Sequence, residues 1–136
     1  MENRINDLAS YRLEKAGINL DLATELYNTE VYGVALNRAY YAAFDAMRAV
    51  NALDGFDSSK HSGVIAHFNQ NHVKTGHFER ATSNIIKRAS LLREKSDYED
   101  FYEPNKEEVE KTIEEIGSFL EAVENYLNTA VSANND

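Results

Sequence analysis

The segment LNRAYYAAFDAMRAV places charged side chains within an otherwise apolar stretch. If it is an α-helix, one face carries Arg38, Tyr41, Asp45 and Arg48, at steps of three, four and three residues. This face has two interpretations. In the first it is a solvated surface on which Asp45 pairs with Arg38 or Arg48, since such ion pairs are common and weak. In the second it is a polar groove: arginine binds phosphate or carboxylate, while Tyr40 and Tyr41 stack on a nucleotide or a second subunit.

All four histidines of the chain lie in a second segment, SSKHSGVIAHFNQNHVKTGHF. They are His61, His67, His72 and His77. Steps of six, five and five residues place successive histidines far apart around an α-helix, whereas metal ligands on one helix face need steps of three or four. We therefore predict neither a metal ion nor another cofactor.

Lys60 and His61 fall in the first turn of a predicted short helix. Free backbone N–H groups and the helix dipole favour an anion at such a position, so this is a candidate phosphate site. In the alternative interpretation His61 is half-buried on a stripe with Ile65 and Phe68, and Lys60 is solvated.

Apolar residues recurring at steps of three and four predict the helices that must position these groups. The predicted helices run from about Ile5 to Tyr27, Val31 to Leu53, Ser58 or Ser59 to His72, Phe78 to Asp97, and onward from Pro104. Ser58 or Ser59 is expected to cap the third helix, and Asn105, followed by Glu108, the fifth. Because long helices with short connections bury their apolar stripes by antiparallel packing, we predict an all-α fold, an up-and-down four-helix bundle with an additional short helix.

Length and composition restrict the class of protein. A chain of 136 residues is the size of one domain, and we expect one domain over residues 1–130 and a frayed tail over 131–136. The chain has no cysteine, which excludes disulfides, thiolate metal sites and a cysteine nucleophile. A net charge of -9 is opposite to that of a typical nucleic-acid binder, so any contact with RNA requires a local cluster.

No stretch approaches the roughly 20 apolar residues of a membrane span. The first ten residues, MENRINDLAS, lack the basic and then apolar pattern of a secretory signal. We therefore expect a cytoplasmic protein that does not enter the membrane.

Three segments, NRAYYAAFDAMRAV, SSKHSGVIAHF and LLREKSDYEDFY, together resemble the small stand-alone HEPN-domain proteins of bacteria and archaea. The resemblance covers the chain from about Tyr11 to Tyr126, and the order and spacing of the segments make it specific. It implies a helical bundle that pairs into a homodimer with a cleft at the interface. It also implies a partner, a minimal nucleotidyltransferase (MNT) encoded by a neighbouring gene, with which the HEPN protein forms a toxin–antitoxin pair.

Active members of that family are metal-independent RNA endonucleases. Their signature is an arginine, four to six residues of any kind, and a histidine, contributed to the cleft by both subunits. No arginine of this chain is followed by a histidine at that spacing. The nearest match is REKSDY, in which Tyr98 occupies the first position where a histidine could follow Arg93. Because an unperturbed tyrosine has a pKa near 10, it is a poor base at neutral pH, and we expect slow or absent cleavage.

The family resemblance has one more implication for Tyr98. In some pairs the nucleotidyltransferase silences the toxin by adding AMP to a tyrosine near the motif, and Tyr98 is the candidate here. The alternative is a tyrosine that closes the end of the bundle.

Three alternative functions are compatible with this sequence. We favour a homodimeric HEPN partner of a minimal nucleotidyltransferase, which binds nucleotide or RNA in its cleft. The residues expected to line that cleft or the dimer interface are Arg38, Tyr41, Asp45, Arg48 and Lys60. The second function is a metal-independent ribonuclease toxin in which Arg93 and His61, with Lys60, replace the missing motif. The third is a helical adaptor without nucleotide chemistry.

Overall fold

A computed structural model describes the backbone of residues 2–135 and the side chains of residues 5–130. The α-helices are α1 (Glu2–Asn28), α2 (Tyr32–Ala52), α3 (His61–Phe68), α4 (Arg80–Tyr98) and α5 (Lys106–Asn135). One turn of π-helix, Asn69–Val73, continues α3 directly. The described backbone contains no strand. The predicted all-α bundle of four long helices and one short helix is therefore confirmed.

The second helix is the central element of the bundle, because it packs against each of the other four α-helices. Its alanines, from Ala35 to Ala52, are almost fully buried, and their small side chains let the neighbouring helices approach closely. Tyr40 and Met47 are fully buried among them. Each such large side chain contributes roughly 1.5–3 kcal/mol by leaving water.

Most helix boundaries lie close to the predicted ones. The predicted cap of α5 is confirmed, since Asn105 Oδ1 accepts the backbone N–H groups of Glu107 and Glu108, at 2.8 and 3.3 Å. The predicted start of α3 is wrong. The helix begins at His61 because Ser58 Oγ accepts the N–H of Lys60 at 3.1 Å in the preceding loop and caps no helical N–H.

The end of α4 packs on the beginning of α2. A Cβ added to Gly33 would lie 2.6 Å from Ser96 Oγ, so the missing side chain permits this approach. One turn further along α2, Asn37 Nδ2 donates to Asp97 Oδ2 at 3.1 Å. This packing places Arg93 of α4 against the middle of α2.

None of the described helices is long and apolar enough to cross a bilayer. The predicted frayed tail concerns residues 131–136, whose side chains lie outside the described residues. It stays a prediction, as does the single domain over residues 1–130.

Candidate functional site

Arg93, Tyr40, Tyr41 and His61 form a group that we call the arginine–tyrosine cluster. The guanidinium carbon of Arg93 lies 4.9 Å from the ring centre of Tyr40 and 5.9 Å from that of Tyr41. Arg93 is buried, and its Nε contacts no acceptor among the described residues. Its NH1 donates only a long bond, 3.4 Å, to Asp97 Oδ2. The cluster therefore contains a buried cation with donor capacity to spare.

His61, the first residue of α3, closes this cluster from the other side. Its Nδ1 lies 3.1 Å from the hydroxyl oxygen of Tyr40, and its ring centre lies 4.4 Å from that of Phe44. Burial, and secondly the positive charge of Arg93, lower the pKa of His61 below its ordinary value. Burial raises the pKa of Tyr40, although Arg93 opposes that shift. Both rings are therefore neutral near pH 7.

Tyr41 extends the cluster towards Arg38. The guanidinium carbon of Arg38 lies 5.2 Å from the Tyr41 ring centre. Arg38 is held in place because its NH2 donates to Asn37 Oδ1 at 2.6 Å and its NH1 to Asn19 Oδ1 at 3.2 Å. Two of the four residues predicted from the polar face of α2, Arg38 and Tyr41, thus join Arg93 and His61 in one region.

Asp45 does not form the ion pair expected of a solvated face. It is buried, and its Oδ2 accepts a bond from Asn19 Nδ2 at 2.9 Å. Burial raises the pKa of this carboxyl, and the Asn19 bond only partly offsets that effect. Arg48 instead pairs with Asp57 at 2.9 Å. The expectation that Asp45 pairs with Arg38 or Arg48 is therefore wrong.

The same Asp57 oxygen also binds Arg12 of α1, at 3.1 Å. Arg12 is buried and donates a second bond to the backbone oxygen of Arg48, at 3.3 Å. Neither Arg12 nor Asn19 was a candidate from the sequence. Their contacts depend on the register between α1 and α2, which no local spacing reveals.

Two further candidates lie at the surface. Lys60 precedes α3 with extended backbone, and is not in its first turn as predicted. Its side chain is exposed. Tyr98, at the end of α4, is 77% exposed, so it does not close the bundle.

The spacing argument against contact between histidines is wrong for His67 and His72. These two side chains both reach Asp54 Oδ2, at 2.9 and 2.6 Å. The reason is the π-helical turn, whose wider repeat brings residues five apart onto one face. The spacing argument assumed an α-helix throughout.

The HEPN domain family profile matches residues 9–126. A "Putative toxin" of Methanocaldococcus jannaschii is 32% identical over 127 residues, which cover 93% of this chain and 86% of that protein. A "UPF0332 protein" of Thermotoga maritima is 34% identical, over 90% of this chain and 92% of its own length. A second M. jannaschii "Putative toxin" is 34% identical, over 85% of each chain.

Proposed function

Because this chain belongs to the HEPN domain family, we propose that it acts as the homodimeric partner of a minimal nucleotidyltransferase in a toxin–antitoxin-type pair. We further propose that its cleft binds nucleotide or RNA through the arginine–tyrosine cluster. The names of the two archaeal relatives support the toxin–antitoxin setting. The single observation that carries the binding proposal is the buried Arg93, which has donor capacity to spare and lies over the Tyr40 ring beside His61.

The chemistry of the cluster suits a phosphate linked to an aromatic base. A guanidinium donates to phosphate oxygens in a fixed planar fork. Tyr41, half-buried between Arg38 and Arg93, supplies an aromatic face between two cations. Base stacking on such rings contributes roughly 1–3 kcal/mol per base. A local group of this kind concentrates positive charge in a chain whose net charge is -9.

The same geometry favours binding over cleavage. Since burial keeps the Tyr40 hydroxyl protonated, this hydroxyl can donate to His61 Nδ1, and the remaining ring proton of His61 then lies on Nε2. In that tautomer His61 offers a phosphate an N–H donor and does not act as a base. With no histidine at the spacing of the family motif, the arrangement fits a protein that holds RNA or nucleotide without rapid cleavage.

A second copy of the chain would cover the exposed face of α4. Leu91 and Tyr98 lie on this face, with exposures of 51% and 77%, and line one shallow groove. The helix repeat places both on the side of α4 opposite the buried Arg93. Phe101, just after α4, is fully exposed. Exposed apolar side chains of this size favour burial against an identical partner.

Tyr98 is our proposed target of the nucleotidyltransferase. Its exposed hydroxyl can reach the active site of another protein. In the proposed step the phenol oxygen attacks the α-phosphorus of ATP, pyrophosphate leaves and the phenol loses its proton. The product carries an AMP group on the exposed face of α4, and its added negative charge would disfavour the approach of RNA.

Co-expression tests this function. The chain is produced alone and with the nucleotidyltransferase encoded by the adjacent gene, and growth, RNA integrity and co-purification are followed. We expect a stable complex and one added AMP group on Tyr98, which Tyr98→Phe removes. Failure of the two proteins to co-purify, with no effect of the chain on growth, would favour the helical adaptor instead.

The ribonuclease toxin remains the second candidate. The position of His61 beside the cation Arg93 favours it, because in the other tautomer, with the proton on Nδ1, the Nε2 atom of His61 is able to accept a proton. Loss of RNA integrity on expression of the chain alone would support this candidate.

A further inference from the structure

Asp54, His67 and His72 form a second cluster, which we call the histidine–aspartate cluster. One candidate ligand atom from each residue lies within 4.8 Å of the other two. Asp54 lies in the turn that follows α2, His67 lies on α3 and His72 lies in the π-helical turn. None of these residues takes part in the proposed binding of RNA or nucleotide. Two histidines from different elements therefore meet at one carboxylate oxygen of Asp54. The arginine–tyrosine cluster does not explain this arrangement.

From this convergence we propose that the histidine–aspartate cluster is a binding site for a divalent transition-metal cation of the Zn²⁺ type. Two imidazoles and one carboxylate are a ligand set that such cations accept, with a further position left for water. The site is separate from the RNA or nucleotide cleft, and the cation takes no part in cleavage.

The spacing between ligand atoms is close to that of a coordination sphere. Metal–ligand bonds of 2.0–2.1 Å in a tetrahedron separate neighbouring ligand atoms by about 3.3 Å. Asp54 Oδ2 lies 2.9 Å from His67 Nε2 and 2.6 Å from His72 Nε2. These two spacings therefore need to lengthen by less than about 1 Å, while the candidate ligand atoms of the two histidines lie within 4.8 Å of each other. Asp54 can make that movement because it lies in a turn and its side chain is 35% exposed.

Both imidazole rings are oriented before any ion arrives. The His67 ring stacks on Phe56, with ring centres 4.0 Å apart and planes inclined by 10°. The His72 ring is buried, with its centre 5.9 Å from that of Phe68. Rings fixed by packing lose little further freedom on binding, which favours affinity. The side chains of His67 and Asp54 remain partly exposed, so an ion can enter from solvent.

His72 also has the outer contact expected of a metal ligand. A coordinating histidine usually donates its other ring N–H to an acceptor, which fixes the tautomer and orients the ring. His72 Nδ1 lies 3.0 Å from His77 Nδ1. When His72 Nδ1 carries the proton and donates it to His77 Nδ1, His72 Nε2 is free to bind the cation.

An ion at this position would tie α3 to the end of α2. His67 lies six residues after His61, or about 9 Å along a helix axis. The proposed ion would thus hold the helix whose first residue belongs to the arginine–tyrosine cluster. Binding to the folded chain alone would also raise the melting temperature.

A calorimetric titration with ZnCl₂ tests this proposal. The tag-free full chain is first freed of metals with EDTA, the EDTA is removed, and ZnCl₂ is then added. We expect one saturable site per chain and a rise in melting temperature of roughly 5 °C or more at saturation. Loss of one protein ligand in Asp54→Asn or His67→Ala should weaken binding at least about 100-fold, and His77→Asn about 10- to 100-fold.

Asp100→Asn is the matched control, since it removes an exposed carboxylate in another turn and should leave binding unchanged. Circular dichroism establishes that each variant folds, and the partly exposed His67 provides a second test if Asp54→Asn unfolds. An absence of saturable Zn²⁺ binding, or equal affinity in wild type, Asp54→Asn and His67→Ala, would overturn the proposal.

Discussion

The guanidinium of Arg93 lies over the ring of Tyr40, with 4.9 Å between the guanidinium carbon and the ring centre. Such a contact contributes about 1–2 kcal/mol when it is shielded from water. The same tyrosine reaches His61 through its hydroxyl. One buried side chain of α2 thus joins a cation of α4 to a histidine of α3.

This relationship predicts that the pKa of His61 depends on Arg93. Arg93→Gln removes a positive charge that disfavours the imidazolium, so the pKa of His61 should rise towards its ordinary value of 6.5 without reaching it, because burial remains. NMR titration of the histidine ring signals measures this shift, and Lys95→Gln, an exposed cation on the same helix, should leave it unchanged. An unaltered His61 pKa in Arg93→Gln would contradict the geometry.

The same titration has a consequence for stability. Because the pKa of folded His61 is lower than that of the unfolded chain, the unfolded chain binds more protons as the pH falls. The contribution of His61 to stability is therefore present above about pH 6.5 and is lost as the pH falls below it.

Asp45 provides a prediction in the opposite direction. Its pKa is raised by burial, so its charged form is disfavoured in the folded chain and its contribution to stability is lost as the pH rises through the folded pKa. Asp45→Asn keeps an acceptor for Asn19 and removes the charge. We expect a gain of the order of 1 kcal/mol at pH 7, or a few degrees in melting temperature, that disappears in acid. Thermal melts of both proteins from pH 3 to pH 8 measure it, and a stability loss at pH 7 would refute it.

The predictable part of the fold is the part encoded by local pattern. Apolar stripes predicted α2 and α4 to within about two residues, because one face of each helix must be buried. The start of α5 was predicted from Asn105, because a helix cap is an interaction between residues close in sequence.

The candidate site was only partly predictable. Arg93 was a candidate because of the family resemblance, and His61 because of its predicted position at the start of a helix. Their common contact with Tyr40 depends on how α2, α3 and α4 pack, which the sequence pattern does not show. The π-helical turn brings His72 onto the same face as His67, but it changes the backbone hydrogen bonds and leaves no mark in the order of apolar and polar residues. A spacing rule for α-helices therefore separated two residues that the fold brings together.

The proposed dimer interface predicts a difference between two exposed apolar residues. Leu91→Glu places a charge beside Tyr98 on the exposed face of α4 and should convert a dimer to a monomer at micromolar concentration. Ile18→Glu is the matched control, because Ile18 is 61% exposed but lies on α1. Light scattering after size-exclusion chromatography reports the mass. A wild-type monomer, or dissociation by Ile18→Glu alone, would contradict this interface.

The central claim is that the arginine–tyrosine cluster binds RNA without cleaving it rapidly. The most direct measurement follows one fluorescent single-stranded RNA in EDTA, recording anisotropy for binding and gel mobility for cleavage, with wild type, Arg93→Lys, Arg93→Gln and His61→Ala. We predict intact RNA with wild type, binding roughly 10- to 100-fold weaker in Arg93→Gln and His61→Ala, and an intermediate loss in Arg93→Lys, which keeps the charge but not the planar fork. Rapid EDTA-resistant cleavage by wild type that Arg93→Gln abolishes would contradict the claim and identify the protein as a ribonuclease.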